Sequence, residues 1–293
     1  MKIYQTVICA LLRGISQIML VNSAFVGLLF ILGFSYGAWQ IGLAALIGSG
    51  VGGLFAYVTK QDPNEIEQGL YGYNSALSAI AFVTFFNTPW WIAMVIAVAL
   101  ITVLLQQGLQ PLFQRTKLPI LTFPFILATW LMFIIHPYLP MVDGIILHST
   151  PQTGTLLDAF FLPFNEVFLA ANREGSLLIS LGLLIGNWLY FLAAVIALSC
   201  AYLMTLVSPE AHYLIAAGIY GFNAILIGVA FAAFFSLRRP LVWLGLIIAA
   251  MLSTWVIVGL DHLFAPLNLP SLTFPFVVII WGVFLGKRLW KAN

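Results

Sequence analysis

Gly69-Leu-Tyr-Gly-Tyr-Asn74 and Gly218-Ile-Tyr-Gly-Phe-Asn223 are nearly one phrase written twice, 149 residues apart. The likeness runs on, with Ala81-Phe82 and Phe85-Phe86 recurring as Ala230-Phe231 and Phe234-Phe235 at the same shift. A second block, Leu118-Pro-Ile-Leu-Thr122-Phe-Pro-Phe125, returns as Leu269-Pro-Ser-Leu-Thr273-Phe-Pro-Phe276 at a shift of 151. Gln17 falls opposite Glu166 at the first shift, in segments that both continue to leucine pairs, Leu28-Leu29 and Leu177-Leu178. Self-similarity over this length makes the chain a duplication, with halves at 1–143 and 144–293. The stretch 137–163 between them carries Pro137, Pro140, Asp143, Gly144, His148, Pro151 and Gly154, a turn-rich linker in a greasy chain.

The surrounding composition fixes the solvent. Of 293 residues, 62% are hydrophobic and 7% charged, far from the balance of a water-soluble domain. Apolar segments are predicted at 6–21, 23–38, 41–58, 66–86, 90–112 and 119–136, with counterparts about 150 residues later. Backbone groups in hydrocarbon must be satisfied within a helix or a closed barrel, and these runs lack the alternation of a barrel. The expected fold is an all-α integral membrane protein embedded in a lipid bilayer.

Positive charges orient the halves, because Lys and Arg in short loops favour the cytoplasmic face. Lys60 follows the third segment of the first half, and Arg115 and Lys117 follow the fifth. In the second half Arg238 and Arg239 follow the fourth segment, and Lys287, Arg288 and Lys291 follow the sixth. If all are cytoplasmic, the repeats have inverted topology and each half crosses an odd number of times. The expectation is therefore about ten transmembrane helices plus two partial helices around a central pore, with both termini cytoplasmic. The apolar stretch after Lys2 has no convincing cleavage site and is expected to be retained.

Several function classes fall away. A net charge of +2 with no basic face gives no reason to expect a nucleic-acid partner. Cys9 and Cys200 are isolated and apolar in setting, no metal-ligand spacing occurs, and no catalytic or cofactor motif is recognisable. The chain is expected to be no enzyme and to use no cofactor. The glycines from Gly48 to Gly53 read as close helix packing, and His136, His148, His212 and His262 as interfacial residues.

Polar residues inside apolar segments are the informative ones. Gln17 and Glu166 either bond a neighbouring backbone or stand near opposite mouths of a path along the pseudo-two-fold axis. Thr122 and Thr273 either cap the helices that follow or hydrogen-bond a passing solute, and inversion would bring them together at mid-membrane. Asn74 and Asn223 are expected to fix the packing of a bent helix. Tyr73 and Phe222, with Leu77 and Leu226 one turn on, form an apolar face that with oxygens along one edge suits a flat amide.

The doubled glycine-aromatic and Leu-Pro-x-Leu-Thr-Phe-Pro-Phe blocks resemble the repeated signatures of the urea transporter family, over nearly the whole chain. The resemblance implies a homotrimer whose protomers each hold a pore, and passive movement of urea past stacked apolar walls and a ladder of oxygens. Small amide analogues are conceivable cargo. By position it places Gln17, Leu20, Tyr73 and Leu77 toward one mouth, Glu166, Leu169, Phe222 and Leu226 toward the other, and Thr122 and Thr273 at the middle. Glu65 and Glu67 stand as further mouth candidates. The architecture suggests a bacterial inner-membrane, multi-pass protein. A proton- or sodium-coupled transporter, with Glu166 as coupling carboxylate, is the competing reading.

Overall fold

The computed structural model of the chain describes residues 2–139, 142–143, 156–170, 172–205 and 221–292. His148, His212, most of the linker and residues 218–220 of the second glycine-aromatic block lie outside them. The first half runs α1 (Lys2–Ser16), α2 (Ala24–Ser35), α3 (Trp39–Val58), α4 (Pro63–Glu67), α5 (Gly72–Phe85), α6 (Trp91–Thr116) and α7 (Phe123–Ile135). The second runs α8 (Leu156–Glu166), α9 (Arg173–Gly186), α10 (Trp188–Thr205), α11 (Gly221–Phe234), α12 (Pro240–Phe264) and α13 (Phe274–Ala292). Among the described residues strand pairing is confined to β1 (Phe86–Asn87) against β2 (Val142–Asp143), which ties the end of α5 to the linker.

Among the described residues three helices are long and apolar enough to cross a bilayer: Trp39–Val58, Trp91–Thr116 and Pro240–Leu267. At about 1.5 Å per residue, 20 residues just span about 30 Å of hydrocarbon. α1 and α2 make a fourth only as a pair bent by 71°. The chain is thus an all-α membrane protein built partly from short or broken helices, which lipid tolerates where other helices cover the freed backbone.

Segment 66–86 is not one helix. α4 is opened by Asp62, whose carboxylate accepts the Asn64 N–H at 2.8 Å, and the chain then turns at Gly69. Gly69 has φ +78°, and a Cβ there would stand 2.2 Å from the Gly14 nitrogen, so both dihedral and space demand glycine. Segment 119–136 likewise becomes helical only at Phe123, because Pro119 and a left-handed Leu121 (φ 50°) precede it. Segment 90–112 runs longer than its apolar pattern, through Pro111 to Thr116.

α5 and α11 form the centre. Residues 72–84 of α5 and 221–231 of α11 are all buried, so neither helix has a solvent or lipid face over that length. α3 packs on α5 and α10 on α11, while α2 crosses α9 between the halves. The glycines of α3 permit its approach: a Cβ on Gly48 would lie 2.5 Å from the Ser75 carbonyl oxygen, and one on Gly52 2.3 Å from that of Tyr71. Gly228 of α11 does the same against Ala193 of α10. Cys9 and Cys200 are free and half-buried, and His136 and His262 sit at helix ends.

Backbone conformations recur at the shifts read from the sequence. Of seven non-glycine residues at positive φ among the described residues, six fall into three pairs: Leu20 with Leu169, Lys117 with Asn268, and Leu121 with Leu272. The hydrogen bonds around them recur as well. Leu20 and Leu169 donate to the Gln17 and Glu166 carbonyls at 2.9 Å, and Val21 and Ala170 to those of Ser16 and Asn165. Side-chain capping by Ser23 of the Val26 N–H is matched by Asn172 and Gly175.

Candidate functional site

The two threonines singled out by the sequence meet. Thr122 Oγ1 and Thr273 Oγ1 lie 2.7 Å apart, both buried, although 151 residues separate them. Neither hydroxyl caps its own helix; each residue instead gives its carbonyl to the first turn, accepting from Ile126 and Val277 at 3.1 Å. Between them the hydroxyls hold two O–H donors and four lone pairs. Their mutual bond takes one of each and leaves one donor and three acceptor sites. Such a pair can answer a solute rich in N–H groups.

The residue before each threonine adds a carbonyl. Leu121 O accepts the Tyr73 hydroxyl at 2.6 Å and Asn74 Nδ2 at 3.2 Å, which fills both its lone pairs. Leu272 O accepts Asn223 Nδ2 at 3.1 Å, and Phe222 has no hydroxyl with which to add a second bond. The asymmetry comes from one oxygen atom in the sequence. Asn223 also accepts the Phe276 N–H, and Asn74 also donates to Gln106 Oε1, so both asparagines tie a central helix to a following turn. Tyr73 is therefore an apolar face with a pinned tip. Tyr73→Phe is expected to free one lone pair on Leu121 O, read as an upward shift of the infrared stretch of a 13C-labelled Leu121 carbonyl.

The apolar candidates sit together in the central core. Tyr73, Leu77, Phe222 and Leu226 belong to one contiguous cluster, with Leu20 and Leu169 packed against it half-buried. Tyr73 and Phe222 are each 8% exposed, and Leu77 and Leu226 1% and 2%, so any way past them is narrow. Gln17 and Glu166 occupy matched positions before the left-handed leucines, and Gln17 gives one of its two amide N–H donors to the Gln68 carbonyl at 3.1 Å. That bond to a neighbouring backbone leaves Gln17 a second N–H and its amide oxygen. Glu166 is half-buried at the end of α8.

Features the sequence reading passed over surround the first-half end. A cavity of about 310 Å³ is lined by Glu65, Leu70, Tyr73, Gln106, Gln110, Phe113, Gln114, Lys117, Leu118 and Ile120. Tyr71 donates its hydroxyl to Glu65 at 2.8 Å, and Gln110 donates to the same carboxylate oxygen at 3.3 Å. Gln106, Gln110 and Gln114, spaced four apart on α6, were the signal available: three amides on one face of an apolar helix. Glu65 thus borders the cavity, whereas Glu67 pairs with Arg13 at 3.4 Å. Arg173 is held by Asp158 at 3.3 Å. Among the described residues no three His, Cys, Asp or Glu side chains gather as a metal site.

The profile described as "Urea transporter" matches residues 8–288, nearly the whole chain. The chain belongs to the urea transporter family. Its relatives include Urea transporter 1 of Ovis aries, 26% identical over 291 residues that cover 90% of this chain and 73% of that protein. Urea transporter 1 of Rattus norvegicus is 26% identical over 292 residues, covering 91% and 73%. A shorter match, 31% identical over 122 residues, joins 40% of this urea transporter family member to 32% of Urea transporter 1 of Mus musculus. The family is one of membrane transport proteins.

Proposed function

We propose that the chain is a passive, selective urea channel whose narrow path runs past Tyr73, Leu77, Thr122, Thr273, Leu226 and Phe222. Gln17 and Leu20 stand toward one mouth and Glu166 and Leu169 toward the other. The single observation that carries this reading is the buried Thr122–Thr273 bond set among apolar side chains of the two central helices. Urea is flat, with four N–H donors and one carbonyl at its edges and weakly polar faces. Sliding edge-on, it trades water for the threonine oxygens and the Leu272 carbonyl, while its faces rest on leucine and aromatic carbon. An ion in the same place recovers few of its hydration contacts and is turned back by a desolvation cost of at least several kcal/mol.

The supporting architecture is two inverted repeats, 1–143 and 144–293, giving about ten spans and two partial helices with both termini cytoplasmic. The paired left-handed residues and the matched capping bonds support the repeat, and the alternating basic loops support the inversion. On this reading α5 and α11, short, apolar and buried on every side over 72–84 and 221–231, are the partial helices. The protein sits in a bacterial inner membrane as a homotrimer with a pore in each protomer, and small amide analogues share the path. The cavity at Glu65, Gln106 and Gln110 forms the vestibule on the side of Lys117.

Glu166 is the one carboxylate that favours coupled transport instead. Uptake of isotope-labelled urea into proteoliposomes separates the two: equal initial rates with and without imposed proton or sodium gradients are expected. Accumulation above the outside concentration under either gradient would replace the channel with a coupled transporter.

A further inference from the structure

We infer that Trp130 and Trp281 are positioning residues for urea passage, two reciprocal clamps that hold the turns carrying the Leu121 and Leu272 carbonyls and the threonine pair. Trp130 Nε1 donates to the Pro270 carbonyl at 2.8 Å, and Trp281 Nε1 donates to the Pro119 carbonyl at 2.8 Å. The two bonds are one bond with the halves exchanged, since 130 and 281, like 119 and 270, are 151 apart. Each helix that begins at one threonine thus grips the turn leading into the other. The inference rests on the proposed urea path and adds the residues that set its geometry.

The turns need an outside hold. Pro119 and Pro270 lack an N–H, so the carbonyl is the only backbone hydrogen-bonding group either residue offers. Two residues on, Leu121 and Leu272 sit at φ 50° and 51°, a left-handed conformation that is strained for an L-residue other than glycine. The bonds local to the first turn are long: Leu118 N–H to Phe113 O at 3.2 Å and Phe123 N–H to Ile120 O at 3.3 Å. The second has Leu269 N–H to Phe264 O at 3.3 Å, beside a shorter Phe274 N–H to Ser271 O at 3.0 Å. In the first turn Tyr73 and Asn74 hold Leu121 O, but in the second, among the described residues, Asn223 alone holds Leu272 O, so the Trp130 clamp carries more of the burden there.

The indoles are themselves fixed. Phe113, Trp281, Phe123, Phe274, Trp130 and Phe264 form a continuous run of six rings, with successive centroids 5.3, 5.1, 6.2, 5.3 and 4.9 Å apart. The run is symmetric under the 151 shift, and its central pair, Phe123 and Phe274, are the residues next to the threonines. A tryptophan anchoring a protein at the membrane surface keeps its N–H toward headgroups and water. Here both N–H groups point at protein carbonyls, and edge-to-face neighbours keep them there.

The test removes the N–H and keeps the ring. Trp130→Phe, Trp281→Phe and the double variant are compared with wild type in proteoliposomes for urea flux and for the ratio of urea to methylurea flux. Incorporating benzothienylalanine at each position gives a second set that keeps the indole shape if phenylalanine leaves too little folded protein. The double variant is expected to pass urea about tenfold more slowly and to lose at least half of its preference for urea, with Trp130→Phe the more damaging single change. A purely structural ring would lower the amount of folded protein and leave the flux ratio of the folded fraction alone. Folded variants with wild-type flux and wild-type ratio would overturn the clamp, whereas a wild type that passes no urea would overturn the channel reading beneath it.

Discussion

Replacing Thr122 and Thr273 together by valine is expected to slow urea permeation by about tenfold or more while leaving the fold intact. On the proposed path the pair supplies three open acceptor sites and one donor among apolar side chains, and a methyl in place of each hydroxyl removes all of them at nearly constant volume. A solute that loses two hydrogen bonds there meets a barrier higher by about 1–3 kcal/mol, and about 1.4 kcal/mol is a tenfold change in rate. Stability follows a different rule. The double change removes both partners of a buried bond and is close to neutral, but Thr122→Val alone leaves the Thr273 hydroxyl without its 2.7 Å partner and costs about 1–3 kcal/mol. Thermal unfolding of the two singles and the double should therefore be non-additive, with the double more stable than the sum of the singles. Urea flux measured on the same samples separates that effect from transport.

Gly48→Ala combined with Gly52→Ala is expected to be the most damaging small change away from the path. α5, which carries Tyr73, Asn74 and Leu77, is positioned by α3 lying directly on its backbone. An added Cβ at Gly48 meets the Ser75 carbonyl at 2.5 Å and Ala79 Cβ at 2.7 Å, and one at Gly52 meets the Tyr71 carbonyl at 2.3 Å. None of these atoms is the free end of a flexible side chain, so the helices must separate. Overpacking of this kind costs about 1–3 kcal/mol per site. A lower unfolding temperature and reduced urea flux per folded molecule are both expected, because the displacement of α5 shifts Tyr73 and Leu77 out of line with the Phe222–Leu226 face across the proposed path. Gly53→Ala, with nothing within 4 Å of its added Cβ, is the matched control and should behave as wild type.

Much of this was legible in the chain because blocks of its sequence recur at a nearly constant shift and so align themselves. The recurrence of Leu-Pro-x-Leu-Thr-Phe-Pro-Phe marked Thr122 and Thr273 as equivalent, and the structure sets them in contact. The glycine run in α3 and the asparagines after the glycine-aromatic pairs could be read from packing chemistry and helix position. What stayed hidden depends on which distant groups meet. Nothing near Tyr73 in sequence says that its hydroxyl reaches Leu121, 48 residues on. The break between α4 and α5 was missed because hydrophobic periodicity ignores the one glycine whose dihedral ends the helix. Trp130 and Trp281 lie at the repeat shift and were visible as a pair, but abundance of aromatic residues in an apolar chain masks any single one. Gln106, Gln110 and Gln114 were passed over for the reverse reason: attention to charge overlooks neutral amides at helical spacing.

The most direct test of the central claim is to locate the solute. Crystals of the protein soaked in selenourea, with the anomalous signal of selenium marking each bound molecule, are expected to show peaks between the Tyr73–Leu77 and Phe222–Leu226 faces, within hydrogen-bonding reach of the threonine pair or the Leu272 carbonyl. Peaks confined to the outer surface, with none along that line in a crystal whose protein passes selenourea in liposomes, would contradict it.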